Sequence, residues 1–145
     1  MKKIAISACM MITTIVAYAQ PPEWIQIDDG KGATSYYIDP HSAKVNGNFR
    51  TVWVLLSYKA KQPGIAASNM KPYYSAVSQN NFDCENKRFT LKQVVYYSNP
   101  MGKGPVSGSQ EISYPQPRDA VPGSAADLMI DSACMIGTIP PAASQ

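Results

Sequence analysis

Histidine is almost absent from this chain: His41 is the only one among 145 residues. A histidine-rich zinc or copper site is therefore excluded, and any Ser-His or Cys-His pair would have to use that single ring. His41 follows Asp39-Pro40, a turn-forming dipeptide, so the ring is expected to sit solvated in a surface turn. Phosphate loops, dinucleotide fingerprints, CxxC pairs and nucleophile elbows are missing as well. Asp28, Asp29 and Asp39 could approach one another across a hairpin and hold a hard cation, but each stands where turn chemistry alone would place it. The residues point away from catalysis, and neither a metal nor a cofactor is expected.

Charge is also sparse, with 16% of residues charged and a formal net charge of +3. Lys2 and Lys3 belong to an N-terminal segment that reads as removable. Without them eleven basic residues face ten acidic ones, a net charge of +1. No basic run remains that could track a phosphate backbone, so nucleic acid is not an expected partner. Only one long apolar run exists, Ile4 to Val16, preceded by the lysines and followed by Ala17-Tyr18-Ala19. This is the pattern of a secretory signal, with cleavage expected after Ala19. The run is shorter than the ~20 residues a membrane span needs, and Gln20-Pro21-Pro22 follows at once, so an integral membrane protein is not expected. Ile6-Ser7-Ala8-Cys9 has the form of a lipidation box, but the apolar stretch runs on past Cys9, which reads as an ordinary signal residue.

Export leaves a single domain over residues 20–139 and a tail, 140–145, with little to hold it in place. It also leaves two of the three cysteines, Cys84 and Cys134. An even number in an exported chain implies a disulfide. Closing their 50-residue separation is worth about 4 kcal/mol in the chain-entropy model.

Most of the domain reads as β-structure. Trp24 to Asp28 alternates, Thr34 to Ile38 favours strand, and Asp39-Pro40-His41-Ser42 should break it. Asn46-Gly47 marks a tight turn. Phe49 to Tyr58 is the clearest central strand, with Phe49, Trp53 and Leu55 on one side and Val52, Val54, Leu56 and Tyr58 on the other. Tyr73 to Ser78 and Lys87 to Tyr97 are two more, the latter expected to place Phe89, Leu91, Val95 and Tyr97 on one face. Asn99 to Gly108 reads as a mobile loop or hairpin, and Gln110 to Tyr114 as a short edge strand. The period then changes: Ala126, Met129, Ile130, Ala133 and Cys134 form a helical stripe behind a Ser124 N-cap, and Gly137 can end the helix. The expected fold is α+β: an antiparallel sheet of about five or six strands, with one C-terminal helix pinned to it by the disulfide.

Tyrosine is what the chain has in quantity. Tyr36-Tyr37, Tyr73-Tyr74 and Tyr96-Tyr97 are adjacent pairs on three expected strands. Adjacent strand residues face opposite sides, so each pair sends one ring to each face. These six residues are the candidate binding surface, since tyrosine offers large contact area at low entropy cost. The alternative is that the helix covers one face, and a loop or a second subunit the other.

The landmarks together resemble a known family. Trp24 opens the domain; Tyr36-Tyr37-Ile38-Asp39 and Val52-Trp53-Val54-Leu55 follow. Then come Tyr74-Ser75, Asp83-Cys84, Tyr96-Tyr97, Pro122-Gly123-Ser124 and Cys134. Their order and spacing resemble the surface-adhesin protein E-like family of small exported bacterial proteins. The resemblance implies an antiparallel sheet with a C-terminal helix stapled by the cysteine pair. It further implies an adhesin that binds host matrix or plasma proteins at the cell surface and can form a homodimer, and it carries no binding residues across. A surface adhesin needs an anchor, and Cys9 is poorly placed to be one. The alternative function is a periplasmic accessory protein that binds a small ligand or an envelope component.

Overall fold

The computed structural model describes residues 21–137. The signal segment with Cys9, the cleavage point after Ala19 and the tail 140–145 lie outside the described residues. Alternating segments make one antiparallel sheet from β1 (Ile25–Gln26), β2 (Thr34–Asn46), β3 (Phe49–Gln62), β4 (Tyr73–Asp83), β5 (Arg88–Asn99), β6 (Lys103–Glu111) and β7 (Arg118–Asp119). The strand order is β1-β2-β3-β4-β5-β6, with β7 paired to the start of β5. Consecutive antiparallel strands need only short turns. Gly47-Asn48 closes the β2–β3 hairpin, with Gly47 at φ 54°, where a side chain would be strained. At the β4–β5 turn the Asp83 carboxylate accepts the Glu85 and Asn86 backbone N–H groups, both at 3.1 Å.

One helix, α1 (Ala125–Cys134), lies across this sheet. The Ser124 hydroxyl accepts the Asp127 N–H at 3.3 Å, and the Asp127 carboxylate accepts the Gly123 N–H at 2.9 Å, so the first turn is capped reciprocally. Ile130 and Ala133, both on the expected stripe, are fully buried against Ile38, Val52, Val54 and Phe82. Burying each large apolar side chain stabilises by about 1.5–3 kcal/mol. The Cys84–Cys134 disulfide ties the turn after β4 to the last residue of α1, with Cα atoms 5.6 Å apart. Lys87 pairs with Asp131, and lies 3.9 Å from Asp127, on the solvent side of the same junction.

Two details depart from expectation through strand irregularity, and a third settles an alternative. The Asp39–Ser42 segment does not end its strand, because β2 continues to Asn46 through a bulge between Asp39 and Lys44. Pro40 needs no ladder bond there. Side chains do the pairing instead: Asp39 accepts the His41 N–H at 3.1 Å, and the Ser42 hydroxyl accepts the Trp53 N–H at 3.0 Å. In β5 an extra residue at Lys92 shifts the register, so Gln79 faces Gln93 while Asn80 faces Leu91. Phe89 and Leu91 therefore share their face with Val94 and Tyr96, and Val95 and Tyr97 turn to the other. Finally, the Asn99–Gly108 stretch is an ordered hairpin whose tip folds over the reverse face. There the Ser75 hydroxyl donates to Asn99 O at 2.6 Å and accepts from Gly102 N at 2.9 Å, which helps keep Leu55 buried.

Candidate functional site

On the helix side of the sheet, α1 covers one end and leaves the other open. Tyr58, Tyr73 and Tyr96 gather at the open end, with Tyr36 beside Tyr58 at the start of α1. Register places Tyr36 opposite Leu56 and Tyr96 opposite Ala76, on the same face as Tyr58. Tyr73 would by alternation join Ser75 on the reverse side. Its ring instead meets Tyr58 and Tyr96 on this face, at the point where the β3–β4 register shifts between Ser57/Ser75 and Gln62/Tyr73. The Tyr58 and Tyr73 rings meet edge to face at 5.7 Å and 76°, and Tyr73 and Tyr96 at 4.7 Å. All four rings are half-buried. Burial pushes the Tyr58 hydroxyl up to about 12, with the neighbouring phenols Tyr73, Tyr96 and Tyr36 adding to the effect. Burial, and then Tyr73, raises Tyr96 as well. These phenols stay neutral at physiological pH and keep their protons as hydrogen-bond donors.

The Tyr58, Tyr73 and Tyr96 rings border a groove of about 250 Å³ that includes Ala76, Ser78, Asn80 and Val94, with Met129 of α1 on one side and Arg118 of β7 at its edge; Tyr36 lines the neighbouring cleft at the start of α1. The Asn80 amide donates to the Ser78 hydroxyl at 2.9 Å, so the polar floor is hydrogen-bonded. Beyond Tyr96 stands the β3–β4 loop, with a short 3₁₀ turn at Ala66–Ser68. It is clipped to β6 by Lys71 N–H donating to Ser107 O and the Ser107 hydroxyl donating to Pro72 O, both at 2.9 Å. Gly64 makes the loop's sharp return, for a Cβ there would lie 2.0 Å from Met70 O.

The six candidate tyrosines are thus divided. Tyr36, Tyr73 and Tyr96 come together; Tyr37, opposite Leu55, and Tyr97, opposite Ser75, lie on the reverse face. Tyr74 is separate, with the Lys61 ammonium 5.7 Å from its ring. Sequence reasoning left Tyr58 and Arg118 out of the site. Tyr58 carries a usable signal, since it shares the parity of Val52, Val54 and Leu56 on one strand. Arg118 carries none, because its place depends on pairing with Phe89 across a proline-rich connection.

Other clefts are occupied by structural work. One of about 440 Å³ lies between the β1–β2 loop and the start of α1, lined by Asp28, Asp29, Asp127 and Asp131. Burial disfavours the Asp28 carboxylate, but hydrogen bonds from Tyr36 N, Gln26 and Gly30 N outweigh it and hold its pKa below the ordinary value. Asp29 pairs with Lys31 at 3.3 Å, and Asp127 and Asp131 are engaged as described above. His41 is exposed in the β2 bulge, not in a turn, and its Nε2 lies 2.8 Å from Glu23. Among the described residues no three metal-ligating side chains come together, and no helix is long and apolar enough to cross a membrane.

An antiparallel meander, one disulfide-tethered helix and an open aromatic face define a small β-sheet module with a surface suited to recognition. The family model for surface-adhesin protein E matches residues 24–135, and the chain belongs to that family. Solved structures of Haemophilus influenzae protein E share the fold. One is 14% identical with a TM-score of 0.60, covering 86% of this chain and 96% of that one. A second crystal form is 15% identical at a TM-score of 0.60, covering 83% and 96%. Protein E from non-typeable H. influenzae is 15% identical at 0.55, covering 83% and 80%. No curated protein sequence matches the chain.

Proposed function

We propose that this protein is a surface adhesin, exported with cleavage after Ala19, that captures host extracellular-matrix or plasma proteins through the tyrosine end of its helix-side face. The observation that carries the reading is the convergence of Tyr58, Tyr73 and Tyr96 on a groove at the end of the face that α1 leaves open. Half-buried tyrosines with packed rings and available hydroxyls are the usual anchors of protein interfaces. Binding without catalysis fits the same surroundings. The groove is lined by no carboxylate and no histidine, and His41 is paired with Glu23 at the N-terminal segment. His41→Ala should therefore leave function intact.

Location is the test. On intact cells the protein should be reached by antibody and by added protease, and the purified mature protein should bind immobilised matrix or plasma proteins. A protein found only after the outer envelope is opened would refute the adhesin reading in favour of a periplasmic accessory role.

A further inference from the structure

Resting on that reading of the groove, we propose that the segment it takes is an extended, proline-containing stretch of the partner, bearing a carboxylate that pairs with Arg118. Three features of the groove carry this. The first is its place on the sheet. It lies on a face, over the paired strands β3, β4 and β5, where no free ladder groups are offered. A partner strand would have nothing to pair with there. Polyproline II needs no such pairing, since its backbone is solvated and its carbonyls remain free to accept hydrogen bonds from phenols.

The second feature is ring spacing. Tyr58, Tyr73 and Tyr96 are separated by steps of 5.7 and 4.7 Å. End to end these steps reach at most about 10 Å, the scale of one polyproline turn of ~9 Å, and aromatic-lined grooves are the recurrent receptors for that conformation. The third is charge. Arg118 is the only charged residue on the groove, it is exposed, and among the described residues no carboxylate lies within ion-pair distance of it. Its neighbour Asp119 is held instead by Arg88 at 2.8 Å. An unpaired guanidinium beside an acid-free aromatic groove selects a carboxylate, which it can grip through two parallel hydrogen bonds.

The probes are fluorescein-labelled proline-rich peptides flanked by Asp, by Asn or by Lys, titrated by anisotropy against the full mature protein. The Asp-flanked peptide should bind at least tenfold tighter than the Asn-flanked one. Arg118→Ala should abolish that difference without changing the melting temperature, and Arg118→Glu should transfer the preference to the Lys-flanked peptide. Tyr73→Ala should weaken all three. Equal binding of the Asp and Asn peptides, or indifference to Arg118→Ala, overturns the inference. Binding to immobilised matrix protein is measured on the same variants. If Tyr73→Ala weakens that capture while the peptides show no discrimination, partner chemistry is wrong but the adhesin face stands; if capture is unmoved, both fall. A variant lacking residues 138–145 that binds peptide at least tenfold better would assign the groove to the chain's own tail. A dimer that peptide or Arg118→Ala dissociates would assign it to a second copy. Either result overturns the proposal.

Discussion

Two ends of one sheet face differ in what lies over them. Under α1, Val52, Val54, Phe82, Ile130 and Ala133 are each at most 1% exposed. Beyond it, Tyr58 and Tyr73 on continuations of β3 and β4, and Tyr96 on the adjacent β5, are only half-buried. Length explains the division. A ten-residue helix is about 15 Å long, whereas the 14 residues of β3 extend over about 45 Å. Residue chemistry follows coverage: aliphatic and phenyl groups fill the dry end, and rings with a polar tip take the wet one. An alternating strand that changes from valine to tyrosine along one face thus marks where its cover stops.

If that division holds, substitutions at the two ends should fail in different ways. Phe82→Ala removes a fully buried ring from the covered end and should cost about 3–5 kcal/mol, read as a fall in the urea midpoint. Cys134→Ser cuts the tether that fixes α1 in place and should cost about 2–5 kcal/mol. Non-reducing peptide mapping of the parent should recover the Cys84 and Cys134 peptides joined, and two alkylatable thiols in the folded protein would contradict this. Gly64→Ala acts at the open end. The added Cβ must displace the Met70 backbone, so the loop should detach from Ser107, at a cost of about 1–3 kcal/mol, with faster amide exchange at Lys71.

Much of this division could be read from residue order. Alternation located β1 to β5 but not β7 or most of β6, the change to a helical stripe after Ser124 located α1, and export with two remaining cysteines pointed to the bond between them. The bulges were not legible. An extra residue at Lys92, or the three extra between Ser57 and Gln62, leaves no local mark, because it exists only relative to the strand alongside. The Lys92 bulge decides which member of the Tyr96-Tyr97 pair joins the cluster, and the β3–β4 register shift falls where Tyr73 departs from alternation. The same limit hid Arg118, whose neighbour Phe89 is 29 residues earlier.

The smallest expected effect is electrostatic. Burial pushes the Tyr58 hydroxyl up to about 12 in the folded protein, from an ordinary 10.0. The folded state therefore holds a proton that the unfolded chain releases, so stability present below pH ~10 should decline as pH rises toward 12. Tyr58→Phe should flatten that alkaline decline and leave stability at pH 7 nearly unchanged, as followed by urea melts across the range.

The central claim is that the tyrosine end is a binding surface and not an extension of the core. Titration of immobilised matrix protein with Tyr73→Ala, alongside its thermal melt, tests this most directly. The account predicts a fold retained with a modest loss of stability, and affinity reduced by roughly 30-fold, the equivalent of ~2 kcal/mol for a hot-spot tyrosine. Unchanged affinity in a folded variant, or unfolding on a scale matching Phe82→Ala, would contradict it.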